Sequence, residues 1–342
     1  MIIYSESQRL DLTDFGIEIP LPDTRALNAF NHLKSHPELN ARIHEWHMEP
    51  VREKATRTDL LRVHTKAYVE RLFSAGLEDE IIRTFELIDS SGQYHRYNPE
   101  NAVLPLSDLF HRILERVSGT IQCCRVAFAE GFSFYFGGGT HHAQAGYGSG
   151  FCLVNDIVIA IRTLQAERRI QTAWVIDVDA HKGDGTAMLT RSDPSITTLS
   201  IHMGDGWPLD GEPYDASGRL NDSFVPSDID IPIFSGEESL YVTKLEEGLN
   251  ALEGFGRPDL AVVVAGADPY QLDELPSTDV LNLTLDQMRE RDLMIYRFLK
   301  ERDVPGAYLM AGGYGEQVWE VYACFLEAVL MDLFELRNAD PA

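Results

Sequence analysis

Short apolar runs alternate with longer amphipathic stretches along this chain, the pattern of a mainly parallel sheet covered by helices. The runs predict strands at Ser133–Phe136, Ala173–Asp177, Ile196–His202, Leu260–Ala265 and Gly306–Met310. Helical periodicity predicts helices over Asp59–Ser74, Leu106–Glu130, Asn155–Glu167, Glu237–Glu253, Leu285–Glu301 and Glu316–Leu336. Residues 84–105 and 203–236 are rich in Gly, Pro, Ser and Asp and read as long loops, which in a compact domain are usually functional. No low-complexity linker or internal repeat divides the chain.

The polar motifs fall directly after these predicted strands. His141-His142, Asp179-x-His181, Ser200-Ile201-His202, Asp268 and Gly312-Gly313-Tyr314 each follow an apolar run. In open α/β sheets ligands bind outside the carboxyl ends of the strands, so the pattern predicts one site assembled from much of the chain. The densest stretch is Asp177-Val178-Asp179-Ala180-His181-Lys182-Gly183-Asp184-Gly185. Side chains two apart on a strand point the same way, so Asp177, Asp179 and His181 could share a face.

Two carboxylates and an imidazole suit a divalent ion of the zinc type, and a lone Asp-x-His is more often a surface feature. Asp268 supplies another carboxylate, although an aspartate before Pro269 is also a common turn residue. Such a ligand set leaves tetrahedral zinc an open position for water and substrate. His141-His142 follows three glycines, and Asp177 and Asp184 are available to orient the two rings. A carboxylate on one ring nitrogen fixes the tautomer and raises the basicity of the other, which suits general base and acid chemistry. Tyr314, after Gly312-Gly313, is either a packed aromatic or a hydrogen-bond donor to a developing oxyanion.

The net charge of −25 argues against nonspecific binding to nucleic acid or to an anionic membrane. It would draw in a cationic substrate, though a solubilising acidic surface explains it as well. The four cysteines, Cys123, Cys124, Cys152 and Cys324, show no metal-ligand spacing and fit a reducing compartment. No signal peptide or membrane-length apolar run is visible, and a cytoplasmic location is expected.

These motifs resemble the metal-dependent histone deacetylase family, which includes bacterial acetylpolyamine amidohydrolases and acetoin-utilisation proteins. The resemblance is carried by Gly138–Ala143, Gly148–Asp156, Asp177–His181, Gly183–Thr186, Ala265–Asp268 and Gly312–Gly315, and more weakly by Leu60–Val69. Pro22-Asp23-Thr24-Arg25 and the region Leu285–Gly315 look most like the branch of small class IV-like enzymes.

The resemblance implies an α/β arginase/deacetylase fold, a parallel β-sheet sandwiched by α-helices, with residues 1–342 as a single catalytic domain. It implies Asp179, His181 and Asp268 as metal ligands for Zn2+, with Fe2+ an alternative. His142 with Asp184 would be the general base and acid, His141 with Asp177 the charge-stabilising partner, and Tyr314 the carbonyl-polarising phenol. The Gly150 carbonyl would accept the substrate amide N–H, while Phe151 and Trp207 would line the channel. Asp177, Asp179, His181, Ser200 and Ile201 match a structural potassium (K+) site.

Three departures bear on substrate choice. Lys182 stands where His or Gln is usual and is expected to point to solvent. Trp207 replaces a frequent phenylalanine before Pro208, and the segment Glu274–Val280 is about three residues longer than the family's usual loop. Polyamine-specific relatives carry a gate glutamate where ungapped counting places Leu275, which favours an acyl-lysine substrate. The expected activity is zinc-dependent hydrolysis of an acyl group, acetyl foremost, from an acylated lysine peptide or protein. An acetylpolyamine or other small acylated amine is the alternative substrate, and a non-catalytic metal-binding module is the rival class. A two-metal, arginase-like site is disfavoured, since the second carboxylate cluster it needs is not evident.

Overall fold

A computed structural model of the chain describes residues 1–21, 24–278 and 280–339. Pro22 and Asp23 of the class IV-like segment, and Asp279 within the Glu274–Val280 loop, lie outside the described residues.

Among the described residues eight strands form one sheet: β1 Ile2–Ile3, β2 His47–Met48, β3 Phe132–Tyr135, β4 Ala173–Asp177, β5 Ile196–Met203, β6 Ile229–Ile233, β7 Leu260–Ala265 and β8 Gly306–Met310. Their order is β2-β1-β3-β8-β7-β4-β5-β6, and every pairing is parallel. A parallel sheet needs cover on both faces, and the central strands are accordingly continuous apolar runs. Alternation sends neighbouring residues to opposite faces: Ile176 and Val263 pack into one core, Val175 and Val262 into the other. The first core is roofed by helices Thr24–Ser35, Tyr241–Leu252, Leu285–Glu301 and Trp319–Ala339, through residues such as Phe30, Leu249, Ile295 and Phe325. The second is roofed by Asp108–Glu130 and Asp156–Ala166, through Val117, Ile121, Ile157 and Ile161. This is the arginase/deacetylase architecture the sequence implied.

Three expected strands, β4, β7 and β8, have the expected bounds; β3 is shifted by one residue at both ends, and β5 runs one residue further at its end. The expected loop 203–236 contains β6, which is a correction. Its sequence Ile-Asp-Ile-Pro-Ile alternates, but Pro232 cannot donate to a ladder. Proline is tolerated because, among the described residues, β6 pairs with β5 alone and lies at the sheet edge. The expected helix Asp59–Ser74 is two helices, Arg57–Leu60 and Lys66–Leu72. Thr65 caps the second by accepting the Tyr68 N–H, and its own N–H donates to the Ala145 carbonyl at 2.8 Å. That long-range bond holds the break open. Among the described residues no helix is long and apolar enough to cross a membrane.

Candidate active site

The polar clusters meet at the C-terminal ends of β3, β4, β7 and β8. Strand β4 ends at Asp177, so Asp179 and His181 lie in the turn beyond it rather than on one strand face with Asp177. The turn brings Asp179 and His181 to Asp268, which follows β7, and one ligand atom from each of the three lies within 4.8 Å of the others. His181 Nδ1 stands 3.2 Å from Asp268 Oδ2 and 3.4 Å from Asp179 Oδ1. Asp179 Oδ2 accepts the Gly312 N–H at 2.9 Å, and Asp268 Oδ1 accepts the Ala180 N–H at 3.0 Å. At Gly312 a side chain would collide with both carboxylates, so glycine is needed there.

The electrostatics of this trio call for a cation. Burial, and then the neighbouring Asp179 charge, push Asp268 up to about 7. Burial alone would lower His181, but hydrogen bonds to Asp179 and Asp268 outweigh it and raise it to about 9. Two buried carboxylates and one imidazole thus retain a proton at neutral pH. A divalent ion of matching size satisfies the same oxygens and nitrogen, so the residues present fit a bound metal.

Two histidine–carboxylate pairs stand beside the trio. His141 Nδ1 lies 2.7 Å from Asp177 Oδ2, and His142 Nδ1 lies 2.7 Å from Asp184 Oδ1. Asp184 is the first residue of a short helix, Asp184–Thr190, and its other oxygen accepts from Gln144 Nε2 at 2.9 Å. The loop carrying both rings turns through Gly138 and Gly139, with φ of 79° and 76°, a conformation glycine adopts without strain. Asp156 fixes that loop by accepting the N–H groups of Gly139 and Thr140 at 3.1 and 2.7 Å.

The two rings differ sharply in charge. Burial lowers His142 to about 4, and the charge of its neighbour His141, 3.9 Å away between ring centroids, adds to the effect. Burial would also lower His141, but Asp177 and then Asp179 overcome it and raise it to about 10. The pairing therefore leaves one neutral ring and one cationic ring side by side.

An outer cavity of about 200 Å³ opens onto these groups, lined by Gly150, Phe151, Trp207, Leu275 and Tyr314 among others. The Trp207 ring meets His142 edge-on at 4.5 Å and 70°. A side chain at Gly150 would strike Trp207 and His142, and its φ of 53° is left-handed. Leu275 is 8% exposed, on the channel wall. Burial, then the charges of Asp268 and Asp179, drive the Tyr314 phenol well above its usual range, so it remains a donor. Asp273 holds this wall together, accepting the Tyr314 N–H at 2.6 Å and the Leu275 N–H at 2.9 Å. Behind the histidines a second cavity, of about 110 Å³, is walled by apolar groups including Leu10, Leu12, Ile113 and Val117.

Residues 20–329 match the family model of the histone deacetylase domain. The chain belongs to the histone deacetylase family. It is 32% identical over 211 residues to an uncharacterized protein of Picosynechococcus, covering 61% of this chain and 65% of that one. It is 28% identical over 281 residues to histone deacetylase 2 of Arabidopsis thaliana, covering 82% of this chain and 66% of the relative. To the acetoin utilization protein AcuC of Staphylococcus aureus it is 29% identical over 292 residues, covering 82% of this chain and 69% of that protein. The chain thus spans about two thirds of the length of the curated relatives it matches.

In this deacetylase-family chain Asp177, Asp184 and Asp268 stand behind the cavity-lining histidines they contact, while Ser200 and Ile201 line neither cavity. Ser200 on β5 pairs in register with Asp177, and its hydroxyl lies 2.9 Å from His202 Nδ1; Ile201 is buried in the core. Lys182 does not point to solvent: it is 4% exposed, and its ammonium lies 2.9 Å from Asp230 Oδ2. The partner is on β6, the strand the sequence concealed. Gln144 and Asp273 were not singled out from the sequence, and Asp156 entered only as the end of the Gly148–Asp156 motif, without a role. Asp273 carried a weak signal in being five residues beyond Asp268 and immediately before the segment Glu274–Val280 expected at the rim.

Proposed function

We propose that the chain is a zinc-dependent amidohydrolase that removes an acyl group, acetyl foremost, from a lysine-like amine. The observation that carries this reading is the convergence of the Asp179–His181–Asp268 group, a neutral His142 and the Tyr314 phenol at two cavities whose walls share His142, His181 and Tyr314. Asp179, His181 and Asp268 would hold the ion. Bound there, it would supply Lewis-acid polarisation of the amide carbonyl and a lowered pKa for attacking water.

The chain's own groups divide the remaining work. Asp184 on Nδ1 leaves His142 Nε2 as an acceptor aimed at the cavity, ready to take the proton of the attacking water. His141, kept cationic by Asp177, stabilises negative charge at the reacting carbon's substituents. Tyr314 donates a hydrogen bond to the developing oxyanion. The C–N bond breaks as a histidine protonates the leaving amine, giving a carboxylate and a free amine. The Gly150 carbonyl accepts the amide N–H, while Phe151 and Trp207 flank the methylene stem and Leu275 lines its entrance.

We further read the chain as one catalytic domain, which the single sheet supports. Asp177, Asp179, His181, Ser200 and Ile201 would hold a structural potassium ion through side-chain or backbone oxygens, a reading supported by the register of Asp177 with Ser200. The cysteines, free among the described residues, agree with a reducing cytoplasmic compartment.

The deciding experiment is a turnover panel of acetyl-lysine peptides, longer acyl-lysine peptides and acetylated polyamines. Each is run with chelator, then with zinc or ferrous iron restored. The expected result is chelator-sensitive turnover favouring acyl-lysine, since Leu275 offers a polyamine no carboxylate. Preference for acetylated polyamines would overturn the substrate assignment, and metal-replete protein with no turnover on any member would overturn the enzyme reading. Tyr314→Phe is expected to lower kcat by about 10²–10³-fold with metal content unchanged. Wild-type turnover by that variant removes the phenol from the mechanism.

A further inference from the structure

Arg291 lies in the helix Leu285–Glu301 and is wholly buried, at 0% exposure. Its Nη1 donates to the Val178 carbonyl at 2.9 Å and to the Gly266 carbonyl at 2.8 Å. Val178 immediately precedes Asp179, and Gly266 lies two residues before Asp268. The two carbonyls therefore belong to the separate turns, leaving β4 and β7, that carry the two carboxylates of the metal group. The guanidinium is balanced by Asp292, whose Oδ1 lies 2.8 Å from both Nε and Nη2.

A buried ion pair is an expensive way to fill space, and apolar side chains of similar volume often serve stability equally well. The fork of the guanidinium does something an apolar residue does not. One nitrogen ties the two turns together from behind, while the Ala180 N–H to Asp268 bond ties them from the front. We infer that Arg291 is a positioning residue for the metal site, fixing the separation of Asp179 from Asp268 through the carbonyls of Val178 and Gly266. The inference rests on the proposed metal ligands and is independent of the proposed substrate and reaction. Lysine keeps the charge but, with a single nitrogen, cannot bridge both carbonyls and bond Asp292 in the same geometry.

The test uses the full chain, stripped of metal and titrated with zinc against a chromophoric chelator, and with cobalt to read the ligand-field spectrum. Arg291→Lys is expected to weaken zinc binding by about 10–100-fold, the usual effect of losing a partner that orients metal ligands. Its cobalt spectrum is expected to shift. The double variant Arg291→Met/Asp292→Leu, which removes the buried charges together, is expected to fold and to show the same loss of affinity. Wild-type affinity and an unchanged cobalt spectrum in either folded variant would overturn the role, even if melting temperature falls. Failure of both variants to fold without metal also overturns it, by making Arg291 a folding element. A wild-type chain that binds zinc yet hydrolyses no acylated amine refutes the proposed function and leaves this inference standing.

Discussion

Replacing His142 by alanine is expected to lower kcat/KM by about 10²–10⁴-fold, the range over which general acid–base catalysis contributes. The zinc content is expected to stay at the wild-type level, because His142 is outside the Asp179–His181–Asp268 group. The pH profile carries the sign of the effect. Burial and the cationic His141 lower His142 to about 4, so the ring remains an unprotonated base well below the usual histidine range. Wild-type kcat/KM should therefore rise through an acid limb nearer pH 4 than 6.5 and be flat from about pH 6 until His141 begins to lose its proton on approach to about 10.

His64 complicates the acid end of that profile. It is buried and bridges the Gln144 carbonyl and the Asn155 N–H, at 2.9 and 3.0 Å, and burial lowers it to about 4. A histidine depressed in the folded state contributes stability above the unfolded value of 6.5, and that stability is lost as pH falls through about 4. Fold must accordingly be followed by circular dichroism at each pH. A His142→Ala variant that is folded, metal-replete and as active as wild type would eliminate the ring as the base.

The positions of the chemical groups were legible because parallel central strands announce themselves as apolar runs. The runs at β4, β7 and β8 were read with their observed bounds, so residues just beyond them were placed at the correct sheet edge. The division of labour within Asp177–Asp184 came from the family resemblance. Strand periodicity alone would have put Asp177 with Asp179 and His181, whereas the strand stops at Asp177 and the turn separates them. Lys182 was misplaced because its partner sits on an edge strand containing a proline, which carries no strong strand signal.

Arg291 and Asp273 were illegible for a different reason. Their roles lie in hydrogen bonds to main-chain groups 113 and 41 residues away, at Val178 and Tyr314. A main-chain carbonyl or N–H presents the same chemistry whatever its side chain, so no pairing pattern in the sequence marks such a contact. The helix Leu285–Glu301 was correctly predicted, yet its periodicity gives no reason for a guanidinium on a buried face. The groups that hold a site in shape were therefore harder to read than the groups that would act in it.

Asp268→Asn is expected to reduce zinc affinity by more than about 100-fold, exceeding the effect of losing an orienting partner. Asparagine keeps the shape and can still accept the Ala180 N–H, but it presents no negative charge to an ion. Two measurements read the loss without relying on turnover. Equilibrium dialysis should leave the variant with far less than the wild-type zinc content. Thermal melts should show zinc raising the wild-type Tm, since a ligand at 100 times its Kd stabilises by about 2.7 kcal/mol, and doing so much less for the variant. The pH dependence should differ as well. In the metal-free wild type Asp268, raised to about 7 by burial and Asp179, and His181, raised to about 9 by its carboxylate partners, compete for the ion with protons. Zinc uptake must release those protons, so apparent affinity rises as pH increases through this window. Removing the Asp268 carboxyl eliminates one proton-binding group, and the variant's weaker affinity should climb less steeply across it. An Asp268→Asn chain that retains equimolar zinc, with the wild-type pH dependence, would place the ion elsewhere.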